Sequence, residues 1–167
     1  MAAELVVEVL PPGDPASTGA VAACAELERL VFPEGGFDLQ EEHRRPHARI
    51  LVARRGDEVT GFLLAWLVVD ELHVLTVATA PAARRTGVGA ALVAAARALA
   101  RDAKATRLLL EVRRSNRAAI GLYQGAGYHV FNVRKRYYAD GEDGVEMHLR
   151  LDPTTFEPIP DSDDEPP

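Results

Sequence analysis

The chain has 167 residues, 47% of them hydrophobic and 26% charged, with a formal net charge of −6. That length suits one domain with a real core, the apolar fraction excludes a disordered chain, and the negative balance leaves no global electrostatic footprint for nucleic acid. A single cysteine, Cys24, excludes an internal disulfide framework and a cysteine-based zinc cluster. It sits in an alanine-rich helical pattern, as a small buried hydrophobe would.

The opening residues carry an early Glu and no basic segment, so no secretory signal is expected. No apolar run reaches the roughly 20 residues that a membrane span needs. The expected location is cytoplasmic, with no membrane partner.

AELVVEVL, residues 3–10, is rich in β-branched side chains and ends at Pro11-Pro12, which predicts a first strand. Residues 20–31 read as a helix with Leu27, Leu30 and Val31 on its apolar side, broken by FPEGGF; residues 38–45 read as a short second helix. Residues 48–79 then read as three strands, the first hairpin turning at Arg54-Arg55-Gly56-Asp57. In residues 87–103, Val88, Leu92, Ala96 and Leu99 recur at helical spacing and predict a core-facing stripe. TRLLLEV is a short apolar strand, and residues 116–126 are a helix stopped by Gly125 and Gly127. YHVFNVRKRYY, ADGEDG and VEMHLRL read as a long terminal hairpin, with Tyr137 and Tyr138 ending its first arm. Residues 1–152 are expected to form one domain. Residues 153–167, acidic and proline-rich, are expected to be a disordered tail.

Hairpins give antiparallel pairs, and the strand–helix–strand unit from about Leu72 to Val112 should be a right-handed parallel crossover. The order therefore predicts an α/β (α+β) fold: a mixed, mostly antiparallel sheet of six to seven strands with helices on both faces. The five histidines are scattered without ligand spacing, and no metal is expected.

One stretch breaks local rules. PAARRTGVGAALV, residues 81–93, opens a helix with Arg84, Arg85, Gly87 and Gly89. Positive charge is the wrong sign for a helix N-terminus, and glycine is a poor helix former. A dinucleotide turn fails because its third glycine position is Leu92, and no P-loop run exists. R-x-x-G-x-G, with Arg84, Gly87 and Gly89, remains. Free N–H groups at a helix start attract phosphate, and glycines allow it close to the backbone. On this stretch alone a diphosphate site and a solvated surface loop stand level.

VATAPAARRTGVGAALVAAARALA followed by LLLEVRRSNRAAIGLYQGAGY resembles the GCN5-related N-acetyltransferase superfamily. The later helix pattern N-x-x-A-x-x-L/F-Y-x-x-x-G-F/Y is matched by Asn116, Ala119, Leu122, Tyr123, Gly127 and Tyr128. The resemblance runs from about Ala20 to Leu151 and looks strongest to the protein Nα-acetyltransferase branch, which includes the ribosomal-protein-alanine enzymes. FPEGGF departs from the aromatic-serine stretch usual in the bacterial members. It looks more like the LPENY loop of the archaeal and eukaryotic ones, with Glu34 at the acidic position.

The resemblance implies acetyl-CoA as donor and a protein N-terminal amine as acceptor, in a monomer or weak dimer. It places the pantetheine and the thioester oxygen along Val77, Ala78 and Thr79. The diphosphate falls on Arg84, Arg85, Thr86, Gly87, Val88, Gly89 and Ala90. Asn116 caps its helix by residue type; the resemblance adds a cofactor contact.

Acyl transfer to an amine needs a base, an oxyanion donor and an acid for the leaving thiolate. Glu111 shares a strand face with Leu109 and Arg113. By residue type alone it reads as an ion-paired or solvated strand end; the resemblance makes it the base, working through a bound water. Apolar neighbours lead to the expectation that it is partly desolvated. Tyr123 matches the family's acid. Phe32 and Glu34, with Tyr137 and Tyr138, are placed by the resemblance against the acceptor's first residues, although cross-strand packing alone would also account for the two tyrosines.

Overall fold

Alternation sets the strands, and the fifth shows it plainly. In Arg107–Arg113, RLLLEVR, the side chains of Leu108, Leu110 and Val112 are buried while Glu111 and Arg113 are exposed, the period of two expected of a half-buried strand. The computed structural model describes residues 2–161. In chain order the elements are β1 (Leu5–Leu10), α1 (Thr18–Val31), α2 (Leu39–Arg44), β2 (Ala48–Arg55), β3 (Glu58–Val68), β4 (Glu71–Thr79), α3 (Val88–Asp102), β5 (Arg107–Arg113), α4 (Arg117–Gly125), β6 (His129–Arg134), β7 (Gly144–Leu151) and β8 (Pro158–Ile159). The sequence predicts the first eleven; β8 is additional.

The chain divides into two compact units, Met1–Leu67 with Leu75–Ala96 and Val68–Val74 with Arg97–Pro167, where the sequence reading expects one domain; β4 and α3 contribute to both. In the first unit the strand order is β1-β2-β3-β4. β1 and β2 pair antiparallel from Leu5↔Arg55 to Leu10↔Ile50, and β2 and β3 from Ala48↔Trp66 to Arg55↔Glu58. Val21, Cys24 and Leu27 of α1 and Leu39 of α2 pack with Ile50, Val52, Phe62 and Leu64 of the strands. Cys24 is fully buried, and burial pushes its thiol up to about 12. It is an inert core hydrophobe. Helix α2 starts where it does because Asp38 accepts the N–H groups of Gln40 and Glu41 at 3.1 and 3.0 Å.

In the second unit the order is β4-β5-β7-β6. β4 and β5 are parallel, as the crossover predicts, but their register covers only Glu71↔Arg107 to Val74↔Leu110. β5 runs on to Arg113, paired with β7 alone. This early end of pairing bares one edge of β5 at Glu111.

Two expectations for the C-terminal part are corrected. The first arm of the terminal hairpin ends at Arg134, so Tyr137 and Tyr138 lie in the connecting loop. Arg136 is in the left-handed region at φ 52° and gives its N–H to Asp143 at 3.0 Å, which removes it from any strand ladder. The described part of the tail is not free. Pro158 and Ile159 pair with Leu151 and Arg150 of β7, Glu157 reaches Arg97 at 3.1 Å, and Asp161 reaches the buried His148 at 3.1 Å. The rest of the expected disordered tail, residues 162–167, lies outside the described residues. Truncation after Asp152 should therefore lower the Tm, on a scale of about 2–4 °C per kcal/mol for a chain of this size. Unchanged melting in a calorimetric scan would show that these contacts carry no stability.

Candidate active site

In the first unit, β4 runs into a short 3-10 turn, Pro81–Ala83, and then into Arg84–Gly87 before α3 begins. Ala80 gives its N–H to Thr60 O at 2.8 Å, which ties the end of β4 to β3. Gly61 of β3 has no room for a side chain: a Cβ there would stand 2.7 Å from both Ala78 O and Val88 Cγ1. Val88 and Leu92, both buried, are thereby seated on the strands, and the start of α3 is fixed.

The turn itself is exposed from Arg84 to Gly87. Gly87 is at φ +87°, a conformation natural to glycine, and Arg85 also adopts positive φ at 61°. The Thr86 hydroxyl donates to Ala83 O at 2.6 Å. The first helical bond is Ala91 N–H to Gly87 O at 3.0 Å, so the N–H groups of Val88, Gly89 and Ala90 are the unpaired donors that every helix start carries. Arg84 and Arg85 form no ion pair among the described residues. Arg55 joins them, donating from Nη2 to Thr86 O at 3.2 Å. The sequence reading places Arg55 in a hairpin turn and misses it; nothing in a pattern 31 residues upstream announces that contact. Free N–H groups at a helix start, a left-handed glycine and arginines at positions 55, 84 and 85 are the kind of features that suit a bound anion. Phe32, which ends α1, is half-buried, and Glu34 is exposed.

In the second unit, Glu111 faces a charged neighbourhood. Its partner across β7 is Glu146. Arg134 approaches Glu111 Oε1 at 3.5 Å and Glu146 Oε1 at 3.7 Å. The Glu111 side chain is 37% exposed: it stands on the open face of β5, opposite Leu108, Leu110 and Val112. Tyr137 lies beside it under the Arg134 guanidinium, 4.9 Å from the ring centroid. Hydrogen bonding to the Glu111 carboxylate pushes the Tyr137 phenol up, while Arg134 pulls it down. Tyr138 meets Tyr137 edge-on at 5.1 Å and carries the Arg113 guanidinium 4.0 Å over its ring. The structure therefore gathers Glu111, Tyr137 and Tyr138 with Arg113, which the sequence reading already sets on the same strand face, and with Arg134, which it did not name.

The loop bearing the tyrosines is clamped. Asp143 accepts from Arg136 N–H, Arg114 and Lys135 at 3.0 to 3.3 Å, and these contacts hold its carboxyl below the usual range. Glu142 accepts from Ser115 N–H at 2.8 Å and Arg113 at 3.0 Å and is lowered in the same way.

Asn116 caps α4, its Oδ1 accepting the Ala119 N–H at 3.1 Å. About two turns later Tyr123 is buried, and burial pushes its phenol up to about 12. It is a neutral O–H across the physiological range. The Tyr128 ring is 5.7 Å away; the Tyr128 hydroxyl is buried without a hydrogen-bond partner among the described residues. No hydrogen bond joins Glu111 to Tyr123 among the described residues. An exposed carboxylate and a neutral phenol are nonetheless the two groups that proton transfer in acyl exchange needs.

Residues 21–128 match the model of the acetyltransferase (GNAT) family, and the chain belongs to that family. It is an acetyltransferase, and enzymes of this family use acetyl-CoA. It is 33% identical over 141 residues to an N-alpha-acetyltransferase of Sulfurisphaera tokodaii, covering 75% of this chain and 84% of the relative. It is likewise 33% identical over 135 residues to the N-alpha-acetyltransferase RimI of Mycobacterium tuberculosis, covering 74% and 82%. Among solved structures, the ribosomal-protein-S18-alanine N-acetyltransferase from Escherichia coli superposes with a TM-score of 0.69 at 23% identity, over 96% of this chain and 97% of that one. This likeness carries the fold: a mixed, mostly antiparallel sheet with helices.

Proposed function

We propose that this acetyltransferase modifies the free α-amine of a protein N-terminus. The observation that carries the reading is the position of Tyr137 beside Glu111 on a loop held by Asp143 and Glu142: a fixed aromatic wall next to a carboxylate suits a narrow chain end. Both relatives named above as Nα-acetyltransferases support it. The Escherichia coli enzyme, named for an alanine on ribosomal protein S18, suggests an N-terminal alanine as acceptor, and the net charge of −6 would suit a basic ribosomal protein.

In this reading, the turn of Arg84–Ala90, with Arg55, holds the donor's diphosphate. Backbone N–H groups in Val77–Thr79 stabilise the thioester oxygen as charge develops on it. Glu111 takes a proton, through one water, from the amine as its nitrogen bonds to the acyl carbon. Tyr123 gives its phenolic proton to the thiolate as the carbon–sulfur bond breaks. Asn116 orders α4, and adds a donor contact if its amide turns outward. Phe32 and Glu34 lie on the acceptor side.

Thioester consumption with three acceptors tests the assignment: an alanine-terminated peptide, the same peptide with a blocked N-terminus and an internal lysine, and a small primary amine. Only the first should turn over efficiently. Equal rates with the blocked lysine peptide would sink the Nα reading and leave a lysine acetyltransferase of the same fold.

A further inference from the structure

On the open face of β5, two carboxylates stand opposite each other. Glu111 is the register partner of Glu146 of β7, so both side chains leave the sheet on one side, where directly opposed like charges repel. Asn132 of β6 pairs with Glu146 in turn, and its side-chain amide donates to Glu146 Oε2. Arg134 meets both acids: Nη1 lies 3.5 Å from Glu111 Oε1, and Nε lies 3.7 Å from Glu146 Oε1. The strand partner of Arg134 is Gly144, and the Tyr137 ring takes the space over it: a Cβ at residue 144 would stand 2.9 Å from Tyr137 Cδ1. The Arg134 guanidinium thus reaches toward two carboxylates from above an aromatic ring.

The distances decide how firmly it is held. A guanidinium bonded to a carboxylate normally closes to about 2.7–2.9 Å. Arg113 does so with Asp140 and Glu142, at 2.9 and 3.0 Å, and Arg54 with Glu8, at 2.8 Å. Arg134 closes on neither partner, and its side chain is 47% exposed. Glu146 is the more enclosed acid, 17% exposed against 37% for Glu111, and its other oxygen is already held by Asn132. Arg114 and Lys135, the nearby cations in sequence, are engaged by Asp143. One acid is anchored and the other is open, with one loosely held cation between them.

An α-amino group titrates at about 7.7–8.0, so an acceptor amine meets the site in neutral water largely as ammonium. It brings a second cation to Glu111 and repels Arg134, and Glu146 Oε1 is the acceptor already within reach of Arg134 Nε. We propose that Glu146 is a positioning residue, which receives Arg134 when the acceptor's ammonium reaches Glu111 and so clears that carboxylate for the proton. This role rests on the reading of Glu111 as the base. With the ammonium in place, two acids face two cations, and the repulsion between the carboxylates is offset.

The Nε–Hε signal of Arg134 in the full chain, read by ¹⁵N NMR, tests the transfer without substrate. Glu111→Gln removes the competing charge, so Arg134 should close on Glu146 and the signal should move downfield. Glu146→Gln, whose amide oxygen can still accept from Asn132, should move it upfield. A signal that moves with neither variant overturns the transfer. A kinetic cycle tests the consequence, using the best of the three acceptors named above. Glu146→Gln should lower kcat/KM about tenfold, because Arg134 is then left on Glu111; in an Arg134→Met background the same change should cost less than about twofold. Equal losses in the two backgrounds, as a merely structural Glu146 would give, or no loss in the first, overturn the role of Glu146. The NMR comparison uses no Arg134 variant, so it stands even if that one fails to fold. If no acceptor turns over, or Glu111→Gln keeps near wild-type kcat/KM, the earlier reading has failed instead, and the NMR signal alone decides whether Arg134 passes between the two acids.

Discussion

Glu111→Gln is expected to lower kcat/KM by about 10²–10⁴-fold, the usual cost of losing a general base. Glutamine keeps the shape of the side chain and can still meet Arg134 and Tyr137, so the loop beside it should stay in place. What it loses is the ability to accept a proton. The exposure of Glu111, at 37% of its side chain, suits a base that works through a water rather than by direct contact. Steady-state rates at saturating acetyl-CoA across a pH series provide the check. Near wild-type kcat would make the residue structural. A variant whose profile merely moves to higher pH would show that solvent deprotonates the amine before it binds.

Tyr123→Phe should lower kcat by a comparable factor, about 10²–10⁴-fold, with acetyl-CoA affinity nearly unchanged, since only a hydroxyl is removed. Burial pushes this phenol up to about 12. The sign follows: the protonated form, the one able to donate, persists as pH rises through the assay range and is lost only on approach to that value. Tyr123 therefore contributes no alkaline fall in kcat at ordinary assay pH. Calorimetry for the donor and kcat for the chemistry separate the two effects. A harmless Tyr123→Phe beside a damaging Glu111→Gln would assign the leaving-group proton to water. The two losses should not multiply in the double variant, because both groups serve one coupled transfer.

The elements were legible wherever hydrophobic period and punctuation agreed. Leu108, Leu110 and Val112 announce β5, and Val88 and Leu92 announce the seated face of α3. The anion turn was legible for the opposite reason, because Arg84, Arg85, Gly87 and Gly89 contradict a helix start. What stayed hidden depends on partners distant in sequence. The charged company of Glu111 comes from Glu146 across β7 and Arg134 on β6, which no local pattern around residue 111 encodes. Arg55 reaches Thr86 across 31 residues. Tyr137 and Tyr138 read as strand residues because they are aromatic and follow an apolar alternation; the left-handed Arg136 and the pull of Asp143 remove them from it. The tail misleads by composition. Its acidic residues suggest a solvated segment, yet Glu157 and Asp161 are the partners of Arg97, Arg150 and His148.

The clamp on the 135–143 loop has a consequence for timing. Asp143 and Glu142 fix the segment through backbone as well as side-chain donors, so Tyr137 and Tyr138 lose their conformational freedom when the chain folds, not when a binding partner arrives. Whatever meets this surface finds the aromatic pair already standing. The more of this loop is held beforehand, the less ordering a partner has to impose when it binds.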